Sequence, residues 1–177
     1  MSDQVIVVVT QPADVVQHIL CERAHELAGW LSGIDTARLE KRETLPDGSV
    51  RCVHAWRARA NVPPALAAHI DGAFLEWRAR SESRPREYES RWIVEPRFLK
   101  SSPLCEGTIT CAPALGGRGT RVCVEFDIVG APESAGVLTL ARTILSTHFR
   151  MLVEAAARLA EAEREGIARG SPTGQAP

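Results

Sequence analysis

The chain has little of what marks a nucleic-acid or membrane protein. Its 21 lysines and arginines are balanced by 22 acidic residues. No net positive field is available to gather a polyanion or an anionic bilayer, and no nucleic-acid partner is expected. No apolar run approaches the roughly 20 residues a helix needs to span a bilayer, so no integral membrane association is expected. The stretch MSDQVIVVVTQPAD has no basic region, an apolar run of only five residues and no small-residue cleavage pattern; the expectation is a cytoplasmic protein without a signal peptide. Metal motifs are missing as well. The five cysteines, at 21, 52, 105, 111 and 123, form no C-x-x-C pair, and the histidines form no H-x-x-x-H pair, which argues against zinc. ALGGRGT looks like a phosphate loop but lacks the following helix and Lys-Ser/Thr pair. No cofactor and no internal repeat is read. An odd cysteine count fits free thiols in a reducing compartment.

What is present is one domain's worth of alternating strands and one long helix. VIVVVT (5–10) is a β-branched strand, apolar on both faces. A helix follows, with Thr10 or Gln11 near its cap, Pro12 in its first turn and Val15, Val16, Ile19 and Leu20 as its stripe. Leu27, Trp30 and Leu31 mark a second short helix. Strands follow at 36–45, 50–60, 74–83, 86–95, 102–113 and 120–130, with turn signals at Pro46-Asp47-Gly48-Ser49 and Gly116-Gly117-Arg118-Gly119. PALAAHIDG (64–72) reads as a connector. A helix from 133 to 165 starts after Pro132 with Glu133 and Ser134. It carries Leu138, Ala141, Leu145, His148, Phe149, Leu152, Ala156 and Leu159 on one stripe. Residues 1–165 form the domain, and 166–177 have the composition of a disordered tail.

An antiparallel sheet needs cover on one face, and only the last helix is long enough to give it. The fold class is α+β: about six to seven curved antiparallel strands wrapped around a C-terminal helix, with a hollow between. Period two on each strand assigns the residues facing that hollow. Val50, Cys52, His54 and Trp56 share a face of one strand; Tyr88, Ser90, Trp92 and Val94 share a face of another. Trp77 is undecided, since both parities there carry apolar residues. Cys105 and Cys111 face inward and Cys123 outward. Cys105 and Cys111 stand three same-face steps apart, roughly 20 Å, too far for a shared metal or a disulfide. Free cysteines then act as small apolar residues.

The candidate ligand-binding residues are His54, Trp56, Tyr88, Ser90, Trp92, Cys105, Leu145, His148, Phe149 and Leu152. Two uses are open for His54 and His148: a core histidine bonded to backbone, or a group offered to a ligand. Two uses are also open for the tryptophans: stacking on a flat ligand, or filling the hollow. The arginines at 51, 57, 59, 78, 80, 84, 86 and 91 alternate with glutamates at 76, 82, 87 and 89, the pattern of a solvated face with cross-strand ion pairs.

The element order, with ESRWIVEP, the G-T-x-T strand (Gly107, Thr108, Ile109, Thr110), the G-x-G-T-R-V turn (Gly117, Gly119, Thr120, Arg121, Val122) and the Pro132 break, resembles the START-like or Bet v 1-like helix-grip superfamily (SRPBCC). Small bacterial proteins of the polyketide cyclase/lipid-transport type are the most similar in layout. The resemblance covers residues 3 to about 162 and rests on topology. It implies an apolar or aromatic small-molecule partner, such as a lipid or polyketide, held between sheet and helix. It supplies no shared catalytic residue. A cyclase-like enzyme using His54, Tyr88 or His148 and a closed-core interaction module are the alternatives, and the doubly apolar first strand leaves a homodimer open.

Overall fold

The computed structural model describes residues 2–59, 75–97, 104–129 and 135–170. The described residues hold seven strands: β1 (Asp3–Val9), β2 (Ile34–Thr44), β3 (Val50–Ala58), β4 (Glu76–Arg84), β5 (Glu89–Pro96), β6 (Cys105–Ala114) and β7 (Gly119–Ile128). α1 (Ala13–Glu22) and a 3₁₀ turn (Ala24–Trp30) follow β1, and α2 (Ala135–Gly170) closes the chain. The strands form one antiparallel sheet in the order β1-β7-β6-β5-β4-β3-β2. β1 and β2 are neighbours in sequence but opposite edges of the sheet, so α1 and the 3₁₀ turn carry the chain across it. Among the described residues no helix is long and apolar enough to cross a membrane.

Alternation sets the two faces. On β1, Val5, Val7 and Val9 are buried while Ile6 and Val8 are 38% and 51% exposed. On β3, Val50, Cys52, His54 and Trp56 are buried and Arg51 and Arg57 are exposed. The outer face is laced by cross-strand pairs at 2.7 to 2.9 Å: Arg51 with Glu82, Arg78 with Glu40, Arg80 with Glu95. These arginines are thus met by glutamates on the adjacent strand or, for Arg78 and Glu40, one strand further across the sheet.

Two register shifts in β2, between Ile34 and Thr36 and between Leu39 and Lys41, bend that edge. Gly107, in the middle of β6, permits a close approach of three strands. A Cβ there would lie 1.9 Å from the Glu125 carbonyl oxygen and 2.8 Å from Cζ2 of Trp92, its register partner. The concave face holds one continuous core, including Ile19 and Leu27, Trp92 and Phe126 of the sheet, and Phe149, Val153, Ala156 and Ala160 of α2. Val153 and Ala160, outside the expected stripe, are among its buried members.

Three expectations need amending. Pro12 is the N-cap of α1 rather than a first-turn residue: its ψ of 149° is extended, and no side chain caps the helix. α2 runs past 165 to Gly170, because EAEREGIAR continues with good helix formers through a single glycine. The β6–β7 connection begins one residue early, at Leu115, which joins Gly116 and Gly117 at positive φ. The connector at 64–72, the expected α2 start at 132–134 and the tail from 171 lie outside the described residues.

Candidate functional site

The site begins where α1 ends. The last carbonyls of a helix have no partners within it, and β3 and β4 supply two. Ser81 Oγ donates to the Cys21 carbonyl at 3.2 Å. His54 Nε2 lies 3.3 Å from the Glu22 carbonyl; a carbonyl only accepts, so Nε2 carries the proton. Gln17, buried one turn earlier on the same face, shares its two amide hydrogens among the Arg84 and Glu89 carbonyls and Ser90 Oγ, at 3.3 to 3.4 Å. Cys21 Sγ and Ser90 Oγ are 2.9 Å apart. Together these bonds seat α1 over β3, β4 and β5.

Between this seat and α2 lies a cavity of about 300 Å³. Its walls are mostly apolar. Trp56 and Trp77 form one side, with His148 of α2 edge-on to Trp77 at 6.4 Å. Trp92 and Phe149 pack at 4.8 Å, with Phe126 behind at 5.2 Å from Phe149. Leu20, Ile109, Leu145 and Leu152 complete the greasy surface. The Trp92 Nε1–H is buried without a partner among the described residues.

Of the ten residues named from sequence, eight border this cavity: His54, Trp56, Ser90, Trp92, Leu145, His148, Phe149 and Leu152. Tyr88 does not. It sits in the β4–β5 turn at φ 52° and is 36% exposed, its carbonyl accepting from the Cys111 amide. The positive φ ends the strand at Glu89, so parity no longer governs residue 88. Cys105 is also outside the lining. It points inward and is fully buried, flanked in register by Val94 and Ile128, but does not reach the hollow. Cys123 stays on the outer side yet is covered, with Gln4 Nε2 at 3.1 Å from its sulfur. Sequence reasoning missed Cys21 and Ser81, and left Trp77 open. Ser81 shares parity with Trp77 and Ala79, a usable signal; the placement of Cys21 depends on how α1 crosses the sheet.

Both open questions resolve in part. His54 does bond backbone, and it borders the cavity too; its ring also stacks on His25 at 5.5 Å. The tryptophans pack against neighbours and still leave space. Burial pulls the His54 pKa down to about 4, against the raising effect of the Glu22 carbonyl. Burial also lowers that of His148. It pushes Cys21 up to about 12, the Ser90 hydrogen bond working the other way. At neutral pH these linings are uncharged. The thiol is no ready nucleophile. Among the described residues no three His, Cys, Asp or Glu side chains are placed to hold a metal.

No protein-family model matches the sequence, and no curated protein matches it. The fold is shared by solved structures. TTHA0849 from Thermus thermophilus superposes with a TM-score of 0.65 at 17% identity, over 92% of this chain and 99% of that one. Zhui aromatase/cyclase from Streptomyces sp. R1128 gives 0.60 at 16% identity, over 96% and 98%. Ara h 8.0201 gives 0.57 at 10% identity, over 92% and 98%. At such identities the likeness is one of fold, and that fold is the helix grip expected from the element order.

Proposed function

We propose that this chain binds an apolar or aromatic small molecule, such as a lipid or polyketide, in the cavity between sheet and α2. The observation that supports it is the cavity itself: about 300 Å³, bordered by Trp56, Trp77, Trp92 and Phe149, with a few polar groups at one end. That is the low end of the roughly 300–1,000 Å³ of small-molecule pockets, and the lining has their composition. The Trp56 and Trp77 indoles, within 2° of parallel, favour a flat ring system over an acyl chain, because rings stack on rings. A closed-core module would have no such space. The five free cysteines fit a reducing compartment such as the cytoplasm.

The test is native mass spectrometry of protein purified from its own organism, followed by denaturing extraction. A stoichiometric adduct of aromatic character supports the reading. A clean apo mass, together with no calorimetric heat on titration with naphthalene, would remove it.

A second reading, catalysis of ring closure in the same cavity, is favoured by His148. It lies in the cavity wall with a pKa lowered by burial, so a neutral imidazole faces bound substrate and can accept a proton. His54 suits that task less, with a pKa of about 4 and its Nε2–H already given to Glu22. A catalyst loses turnover of a poly-β-ketone in His148→Ala while retaining its binding; a carrier changes only in affinity.

A further inference from the structure

We propose that the molecule held in the cavity is an uncharged hydroxylated aromatic, a phenol in chemical class. Its hydroxyl sits beneath the end of α1, against Cys21, Ser81, Ser90 and His54. This rests on the cavity reading above and adds a chemical class to it. The register places the three sheet residues on a diagonal across the concave face. His54 stands opposite Ala79, Ser81 opposite Cys52 and Trp92, and Ser90 opposite Ser83. Cys21 closes the group from above, and all four side chains border the cavity.

The proton inventory of that corner is unbalanced. The Cys21 thiol and the Ser90 hydroxyl bring two protons to a single contact at 2.9 Å. Whichever donates, the other proton has no acceptor among the described residues. Gln17 turns its amide nitrogen, a donor, toward Ser90. Ser81 gives its proton to the Cys21 carbonyl and keeps its oxygen lone pairs. His54 gives Nε2–H to the Glu22 carbonyl, so the neutral ring keeps a lone pair on Nδ1. Capping α1 explains the protons given away. It does not explain a spare donor and two spare acceptors in that corner, in addition to the Trp92 Nε1–H elsewhere in the lining, where buried polar groups are ordinarily satisfied.

A hydroxyl accepts and donates, and so answers both halves. An ether or ketone only accepts, and an ammonium only donates. A carboxylate would bring a charge to a corner with no free cation among the described residues: Arg80 also borders the cavity, but its guanidinium is held by Glu95 at 2.9 Å. An unpaired buried charge is costly.

The test is calorimetric titration of the full chain at pH 7 with naphthalene, 2-naphthol, 2-methoxynaphthalene and 2-naphthoate. The expected order puts 2-naphthol about tenfold or more ahead of both naphthalene and its methyl ether, the size of one well-made hydrogen bond. 2-Naphthoate binds weakest. In Ser90→Ala the lead of 2-naphthol over naphthalene shrinks to about threefold or less. Should that variant fail to fold, the four-probe order on the wild type decides alone. Equal affinity for naphthalene and 2-naphthol overturns the proposal and leaves the cavity reading standing. Tightest binding of 2-naphthoate overturns it in favour of an anion. No binding of any probe, naphthalene included, overturns both.

Discussion

Trp56 and Trp77 stand directly opposite each other on β3 and β4, and their indoles lie parallel, 2° apart in plane with centroids 6.2 Å apart. The register makes the stack: opposed residues on one face of an antiparallel pair have neighbouring Cβ atoms. Both indoles border the cavity.

Trp77→Ala removes half of that wall. The expected loss of stability is about 2 kcal/mol, below the full cost of a core tryptophan because Trp77 is only half-buried. Urea unfolding reads it. Affinity for naphthalene falls in the same variant, and unchanged affinity would show that the ligand does not lie against this wall.

Acid should weaken the fold through its histidines. The unfolded chain protonates histidine near 6.5, whereas folded His54 waits until about 4 and burial lowers His148 as well. Between those values the unfolded state binds protons the folded state refuses. The stability is therefore fully present above about pH 6.5 and is lost as pH falls toward 4. For His54 the loss is on the order of 3 kcal/mol. His54→Gln retains an N–H for the Glu22 carbonyl and does not titrate. Its unfolding free energy, measured by urea at steps from pH 7 to 4.5, should fall less steeply than that of the wild type.

Arg23 ties the start of the 3₁₀ turn to α2. Its guanidinium meets both oxygens of Glu163 at 2.5 and 3.1 Å and both oxygens of Glu26 at 2.6 and 2.8 Å. These bonds hold the pKa of both carboxyls down. Lysine offers a point charge rather than a fork. Arg23→Lys should cost about 1 kcal/mol at low salt. The gap between variant and wild type should narrow in 1 M NaCl, and a gap indifferent to salt would mean packing rather than charge.

The thiols should be silent in the native state. All five cysteines are buried, and burial pushes Cys105 and Cys111, like Cys21, up to about 12 and Cys52 up to about 11. Iodoacetamide at pH 8 should add nothing to the folded protein and five groups after unfolding, counted by intact mass. Rapid native alkylation of Cys21 would show that the α1 end opens.

Gly107→Ala should be among the most damaging single substitutions. The new methyl meets a backbone carbonyl at 1.9 Å, and a backbone atom cannot swing aside as a side chain end can. A loss of about 3 kcal/mol or more in unfolding free energy is expected, against a much smaller change for Gly166→Ala, where nothing lies within 4 Å.

The sheet was legible because β3 alternates without interruption: Val50, Cys52, His54 and Trp56 are all buried, and the residues between them are more open. The C-terminal helix was legible from Leu145 to Leu159 by spacing alone. What escaped was whatever a neighbour decides. The face of Trp77 is settled by its pairing with Trp56, which no local pattern contains. Tyr88 obeys its turn rather than its strand. Cys105 was correctly turned inward, but inward at that rung means core, not cavity. Cys21 joins the polar corner only because α1 crosses above β3 to β5.

The order of strands in the sheet also governs how the chain is made. Gln4 on β1 and Cys123 on β7 bond side by side although they are 119 residues apart. At ordinary rates of synthesis the first strand waits on the order of ten seconds for its partner to emerge. Through that interval Val5, Val7 and Val9 have no sheet to join. A chain stopped before Gly119 never provides one, so its leading strand stays an exposed, sticky edge. β7, made long after β1, is the strand that makes β1 safe.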